Sequence, residues 1–194
     1  MKISIIPIIK KYYDSYSINV DLKLIQFLNK IYKDCEIDIL SSFKKLSSNL
    51  LIIPGGNTII KFSSKKEDII RNKFDNFFFN KAITKKIPII GICHGAQFIA
   101  ERYKGSLIKD QNHGKLRNHY VDLIDKKNSY LVNSFHNISL KKLPKNFFIY
   151  GRSKNHNIEL FKHKKKNVLG IMWHPERNTK IKKLDKEIFK NFKS

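Results

Sequence analysis

The sequence of 194 residues has few cysteines and no long apolar run. Its two cysteines, Cys35 and Cys93, lie in unrelated contexts and lack the spacing of a disulfide framework or a zinc site, which indicates a reducing compartment. The apolar stretch at the start is interrupted by Lys10 and Lys11 too soon for a signal peptide, and no later run approaches membrane-spanning length. We therefore expect a cytoplasmic protein without a membrane partner.

Acidic residues and arginines are also scarce. The sequence has 16 acidic and 39 basic residues, only five of the basic residues are arginine, and the formal net charge is +23. Such a charge suits a nucleic-acid partner, but the lysines are scattered through every segment and no nucleic-acid-binding signature accompanies them. Abundant isoleucine and asparagine are typical of an AT-rich genome. The composition therefore favours a solvated lysine surface, and the charge is suited to an anionic substrate.

No repeat and no Pro/Gly/Ser linker divides the chain, so its length predicts one domain over residues 1–194. In the first half, short apolar runs alternate with helical patterns, which is typical of βαβ units and a parallel sheet. The predicted strands there are 3–9, 36–40, 50–53 and 87–92. The second half predicts short antiparallel strands at 120–124, 130–132, 147–151 and 158–161, then a buried strand at 168–172 and a closing helix.

A cysteine stands between two glycines in "GICHG", residues 91–95, at a predicted strand-to-helix junction. This pattern is typical of a nucleophile elbow, where a sharp turn raises the nucleophile at the carboxyl edge of the sheet. We expect Cys93 to be strained and exposed, with its thiolate favoured by the helix amino terminus. Backbone N–H groups of the new helix would stabilise negative charge on a substrate oxygen. The alternative is a buried cysteine at a tight turn.

A thiol nucleophile needs a base, and "WHPE", residues 173–176, supplies one. His174 ends a predicted buried strand, at the sheet edge where the elbow lies. Glu176 is two residues further on and projects to the same side, so it could hydrogen-bond the imidazole and fix its tautomer. The sequence thus predicts a Cys-His-Glu triad, whereas a capping turn before the last helix is the alternative for the tripeptide alone.

The motifs "PGGN", "GICHGAQ" and "WHPE" together resemble the class I glutamine amidotransferase superfamily, including its γ-glutamyl hydrolase (peptidase C26-like) branch. Their order and separation match, and the resemblance extends from about residue 3 to the last helix. It implies an α/β, flavodoxin-like three-layer sandwich with a central, mostly parallel sheet and a small antiparallel extension. It also implies an enzyme that cleaves a γ-glutamyl C–N bond through a γ-glutamyl thioester.

The resemblance assigns roles to individual residues. Cys93 is implied as the nucleophile, His174 as the general base and acid, and Glu176 as the residue that orients the histidine. The oxyanion hole is implied to come from the backbone N–H groups of Gly56 and His94. The implied substrate-binding residues are Gly55, Asn57, Gln97, Ser134, Phe135, His136 and His119.

No cofactor and no metal is expected, because the implied chemistry needs neither. His113 and His119 lie near Asp110 and Asp122, but the four residues complete no recognised ligand pattern.

We expect hydrolysis of a small γ-glutamyl conjugate with release of glutamate. A nucleotide-linked phosphoramidate of capsule biosynthesis is one such substrate in the resembling enzymes, and a grouping of Arg117, Arg152 and Arg177 would suit its charge. A first alternative is a glutaminase subunit that delivers ammonia to a partner synthase. A second alternative, of another class, is a basic nucleic-acid-binding protein with a relict site. The motifs do not separate the two enzymatic functions, because the acylation chemistry is shared.

Overall fold

A computed structural model describes residues 1–110, 117–124 and 128–192. The four α-helices in these ranges are α1 (Leu22–Ile31), α2 (Lys66–Thr84), α3 (His94–Arg102) and α4 (Lys183–Asn191). The strands are β1 (Lys2–Ile5), β2 (Ile8–Tyr12), β3 (Ser15–Asn19), β4 (Glu36–Ile39), β5 (Leu50–Ile53), β6 (Ile89–Ile92), β7 (Ser106–Lys109), β8 (Arg117–Leu123), β9 (Ser129–Ser134), β10 (Ile138–Lys142), β11 (Phe147–Ser153), β12 (Ile158–His163) and β13 (Val168–Ile171).

Five parallel strands form the centre of the main sheet, in the order β4-β1-β5-β6-β13. Every residue of β5, β6 and β13 is buried, because helices cover both faces of a parallel sheet. Beyond β13 the sheet continues with the antiparallel strands β12, β11, β8 and β9, while β10 pairs with β12 and β7. The predicted parallel sheet with an antiparallel extension is confirmed.

Helices on both faces complete three layers, and each face has its own hydrophobic core. On one side α1 and α4 contribute apolar side chains such as Leu24, Phe27 and Phe189. On the other side α2 and α3 contribute side chains such as Phe78 and Phe98. Within the described ranges, no helix has the length and apolar character needed to cross a membrane.

The single strand predicted over residues 3–9 is wrong, because the segment divides at Pro7. Strand β1 ends at Ile5, and β2 pairs with β3 in a separate two-stranded sheet. Proline has no backbone N–H to donate to a central ladder, so the chain leaves the main sheet there. The resulting hairpin of β2 and β3 packs against the loop after β5, where the amide of Asn57 bonds to both the N–H and the carbonyl of Ile9.

The buried aromatic residues of the antiparallel extension predict a graded loss of stability. Phe161 is fully buried and its ring fills the space above Gly170, whereas Phe148 on the neighbouring strand is 50% exposed. We expect Phe161→Ala to lower the free energy of unfolding by about 3–5 kcal/mol. The control Phe148→Ala should cost less than about 1 kcal/mol. Chemical denaturation of both variants checks this, and equal losses would contradict the packing described.

Candidate active site

Cys93 occupies a strained turn between β6 and α3, with φ 51° and ψ −102°. A Cβ atom on Gly95 would lie 1.9 Å from the carbonyl oxygen of Ile53, so only glycine allows this close approach. The Cys93 N–H donates to the Ile171 carbonyl at 2.7 Å, which ties the turn to β13. The expectation of an exposed cysteine is wrong, because Cys93 is 7% exposed. It lines a cleft instead.

His174 follows β13 and lies beside Cys93 at the same sheet edge. Its Nδ1 is 2.6 Å from Oε1 of Glu176, so Nδ1–H donates to the carboxylate and Nε2 is left for the cysteine side. A Cβ on Gly55 would lie 2.5 Å from His174 Cε1 and 3.3 Å from Cys93 Cβ. The absence of a side chain at Gly55 is therefore what lets the imidazole and the cysteine come together beneath the loop after β5.

The charges around His174 favour its protonated form. Burial alone would lower the pKa of His174, but the negative charges of Cys93 and Glu176 outweigh it and raise that pKa to about 10. His174 can therefore carry a proton beside the Cys93 sulfur at neutral pH.

Asn133 fixes the backbone of His174 from both sides. Its Nδ2 donates to the His174 carbonyl at 2.8 Å, and its Oδ1 accepts from the His174 N–H at 2.8 Å. The same Nδ2 also lies 3.1 Å from Oδ1 of Asn178. Reasoning from the sequence missed Asn133, although it begins the "NSFHN" segment in which the next three residues were assigned. Its place at the start of a segment implied to bind the substrate is the signal that could have found it.

The loop after β5 lines the cleft with Gly56. Gly56 has φ 128°, and a Cβ there would lie 2.8 Å from the side chain of Ile8. Within the described ranges the Gly56 N–H has no hydrogen-bond acceptor. The neighbouring Asn57 does not offer a free amide, because its side chain bonds to Ile9 and to Asp68. Asn57 thus shapes the loop, and Gly56 beside it lines the cleft.

A cavity of about 230 Å³ opens above these groups. The sequence-predicted residues that line it are Gly56, Asn57, Cys93, Gln97, Phe135, His136 and His174. Gln97 Nε2 and His136 Nδ1 both donate to the Ile138 carbonyl, at 3.2 and 2.9 Å, so these two side chains are held on one wall.

Other predicted residues lie around this cavity without lining it. Gly55 lies against His174, and Glu176 is behind the imidazole. Ser134 is buried in β9, and the side chain of His94 points to Asp75. The remaining one, His119, has its Nε2 3.4 Å from Oε1 of the buried Glu159, which also lies 4.0 Å from His136.

The described residues contain no group of His, Cys, Asp and Glu side chains suited to hold a metal ion, and His113 lies outside the described residues.

Of the three arginines expected to group, Arg177 lines the cleft, with its guanidinium 4.5 Å from the Phe135 ring centroid. Arg152 donates instead to the His156 carbonyl, and the side chain of Arg117 lies outside the description.

Comparison with known proteins identifies the class. The profile of the family described as "Glutamine amidotransferase class-I" matches residues 9–193, and the chain belongs to this family. The resemblance drawn from the three motifs is therefore confirmed. A solved glutamine amidotransferase from Thermotoga maritima superposes with a TM-score of 0.68 at 19% identity, covering 90% of this chain and 76% of that one, which confirms the flavodoxin-like fold.

Two curated relatives differ in what their names describe. A γ-glutamyl-CDP-amidate hydrolase of Campylobacter jejuni is 35% identical over 147 residues, which cover 73% of this chain and 68% of that protein. A protein of Methanobrevibacter smithii, named as one subunit of a glutamine-hydrolysing GMP synthase, is 32% identical over 150 residues, covering 73% and 70%. The family thus includes relatives named for hydrolysis and relatives named as synthase subunits.

The charge pairing in the site predicts how His174 titrates. Replacing Cys93 by alanine removes one of the two negative charges that raise the pKa of His174, while burial still lowers it. In Cys93→Ala we expect this pKa to fall from about 10 toward its usual 6.5, measured by NMR of the imidazole proton signals. Cys35→Ala is the matched control and should leave the titration unchanged. An unaltered pKa in Cys93→Ala would disprove the proposed pairing.

Proposed function

We propose that the protein hydrolyses a γ-glutamyl C–N bond through a γ-glutamyl thioester on Cys93. The observation that carries this proposal is the position of Cys93 at a strained elbow beside His174, whose Nδ1 is 2.6 Å from Glu176. A nucleophile, a base and a group that orients the base are the parts that acyl transfer requires. Family membership supports the same chemistry.

The geometry supports the following sequence of steps. The Cys93 thiolate, paired with the His174 imidazolium, attacks the γ-carbonyl carbon and pushes its electron pair onto oxygen. The backbone N–H groups of Gly56 and His94 hold this oxyanion. As the oxyanion collapses, the C–N bond breaks and His174 Nε2–H protonates the leaving nitrogen. Neutral His174 then takes a proton from water, whose oxygen attacks the thioester carbon. Collapse of this second tetrahedral intermediate breaks the C–S bond, releases glutamate and restores the Cys93 thiolate beside the His174 imidazolium.

The substrate we propose is a γ-glutamyl conjugate with a phosphorylated leaving group. The relative from Campylobacter jejuni is named for such a compound. Arg177 lines the cleft with a side chain that is 30% exposed and a guanidinium 4.5 Å from the Phe135 ring centroid, and a planar guanidinium binds phosphate with two parallel hydrogen bonds. As part of this proposal, the enzyme acts in capsule biosynthesis in the cytoplasm.

The second candidate is a glutaminase subunit that passes ammonia to a partner synthase. The relative from Methanobrevibacter smithii favours it, because that protein is named as one subunit of a glutamine-hydrolysing synthase. Both candidates share the acylation step, so the substrate separates them. A glutaminase of this kind would turn over free glutamine slowly by itself and much faster with its partner, whereas a conjugate hydrolase needs no partner.

The nucleophile assignment predicts a covalent intermediate. We expect Cys93→Ala to abolish glutamate release from a panel of γ-glutamyl amines, γ-glutamyl nucleotides and glutamine, because no other thiol lies in the cleft lining described. The control Cys35→Ala should keep full activity. Mass spectrometry of the quenched wild type should find a glutamyl adduct on the peptide that contains Cys93. Turnover by Cys93→Ala would refute the assignment.

The orienting role of Glu176 predicts a smaller loss. In Glu176→Gln we expect kcat to fall by about 10²–10⁴, since the imidazolium loses its carboxylate partner while the nucleophile remains. Steady-state kinetics on the best substrate of the panel measures it. An unchanged kcat would exclude a catalytic contribution from Glu176.

The arginine in the cleft predicts discrimination by charge. We expect Arg177→Met to lower kcat/KM by about 10–100-fold for a phosphorylated γ-glutamyl conjugate, since a hydrogen bond to a charged group is worth about 1.5–3 kcal/mol. For a neutral γ-glutamyl amine the change should be under about threefold. Arg152→Met removes an arginine outside the cleft lining and serves as the control. Equal losses on both substrates would rule out the anionic leaving group.

A further inference from the structure

One buried face of α2 carries charge where an apolar face is the rule. Asp68, Arg71 and Asp75 are spaced three and four residues apart, so they lie on the same side of the helix. Their exposed fractions are 4%, 0% and 0%. Burying an ion costs several kcal/mol unless it is paired and hydrogen-bonded, and apolar residues of similar volume are often more stabilising. Stability alone therefore does not account for this face.

The contacts of Arg71 and Asp75 connect two parts of the site that are distant in sequence. Arg71 Nε donates to Asp75 Oδ1 at 2.8 Å, and Arg71 Nη2 donates to the Pro54 carbonyl at 2.9 Å. The other carboxylate oxygen, Oδ2, lies 2.7 Å from Nε2 of His94. A continuous chain of hydrogen bonds thus runs from the residue before Gly55 to the residue after Cys93.

The charge on Asp75 is maintained inside this chain. Burial would raise the pKa of Asp75, but Arg71 and His94 outweigh it and hold that pKa below its usual value. A carboxylate accepts from both neighbours, so His94 presents Nε2–H to it. This hydrogen bond fixes the side chain of His94, which is the first residue of α3.

The same helix also holds the far side of the loop. Asp68 Oδ1 accepts from the Thr58 N–H and from Asn57 Nδ2, both at 3.0 Å. The segment from Pro54 to Thr58 is therefore attached to α2 at both ends, with Gly56 between the attachments. Its position relative to α3 depends on Arg71 and Asp75.

We propose that Arg71, Asp75 and the His94 side chain are positioning residues that set the spacing of the two oxyanion donors, the N–H groups of Gly56 and His94. The inference rests on the proposed function, because it concerns the negative charge that develops there. One end of this hydrogen-bond chain is the Pro54 carbonyl, two residues before Gly56, and the other end is the side chain of His94. A displacement of about 1 Å at such a site costs about 10²-fold in rate, and loss of one donor costs about 10²–10³.

Kinetic measurements can distinguish the positioning of the oxyanion donors from a purely structural role of these residues. The oxyanion exists only in the transition state and the tetrahedral intermediate, so misplaced donors lower kcat and leave KM nearly unchanged. Alkylation of Cys93 by iodoacetamide gives a contrast, because the thiolate attacks a saturated carbon, iodide leaves and no oxyanion forms. A change confined to the oxyanion donors therefore slows hydrolysis but not alkylation.

The test compares four variants with the wild type. Arg71→Met removes the links to Pro54 and Asp75 at similar volume. His94→Ala breaks the chain at its other end, and His94→Gln provides a conservative rescue, since its amide can donate to Asp75. Arg102→Met changes an arginine at the far end of α3, whose Nη2 donates to Asn80, and is the control. Thermal unfolding identifies the variants that fold. If Arg71→Met does not fold, comparison of His94→Ala with His94→Gln is enough to test the proposal.

We expect Arg71→Met and His94→Ala to lower kcat by about 10–100-fold, with KM within about threefold and the iodoacetamide rate within about twofold of wild type. His94→Gln should recover most of the loss, and Arg102→Met should behave as wild type. Folded variants with unchanged kcat, or with alkylation slowed in proportion to kcat, would overturn the positioning role alone. A wild type that releases glutamate from no γ-glutamyl compound would overturn the proposed function and this role together.

Discussion

The close approach of three strand ends is the constraint on which the site depends. β5, β6 and β13 are neighbours in the parallel sheet, with Ile53 beside Gly91 and Gly91 beside Gly170 in register. Parallel strands end at the same edge, so the segments that follow them meet there. The meeting is close enough that a side chain on Gly55 would collide with His174, and one on Gly95 with the backbone of β5. Glycine at both positions is a condition of bringing the Cys93 sulfur, the His174 imidazole and the loop after β5 into one cleft.

This convergence places several unfavourable features in a small volume. Cys93 has a backbone conformation that costs of order 1–3 kcal/mol, and two groups of charges lie inside the protein. Each charge is matched by a partner at short range, His174 with Glu176 and Arg71 with Asp75. The buried strands and the two apolar cores supply the compensating stability. Such preorganised charges are what a reaction passing through an anionic intermediate requires.

Features whose cause lies within a short segment of the sequence could be predicted best. The parallel strands follow from apolar runs, and Cys93, His174 and Glu176 lie in local patterns whose geometry a strand end dictates. Contacts between distant segments could not be predicted in this way. Asn133 acts on a residue 41 positions away, and β2, which begins after Pro7, is held through Ile9 by Asn57, 48 positions further along the chain. The charged residues of α2 carry no local signal of burial, because their partners lie in the loop after β5 and at the start of α3.

The large positive charge of the chain does not by itself select a substrate. Fields from exposed lysines are screened within about 8 Å at physiological ionic strength, and among the described residues that line the cleft Arg177 is the one permanent cation. Recognition of the anionic leaving group that we propose must therefore be local. The Arg177 guanidinium lies 4.5 Å from the centroid of the Phe135 ring, and a planar guanidinium acts at short range and with fixed direction, so it is suited to distinguish a phosphate from a neutral amine. The lysines elsewhere affect the rate of encounter more than the choice of substrate.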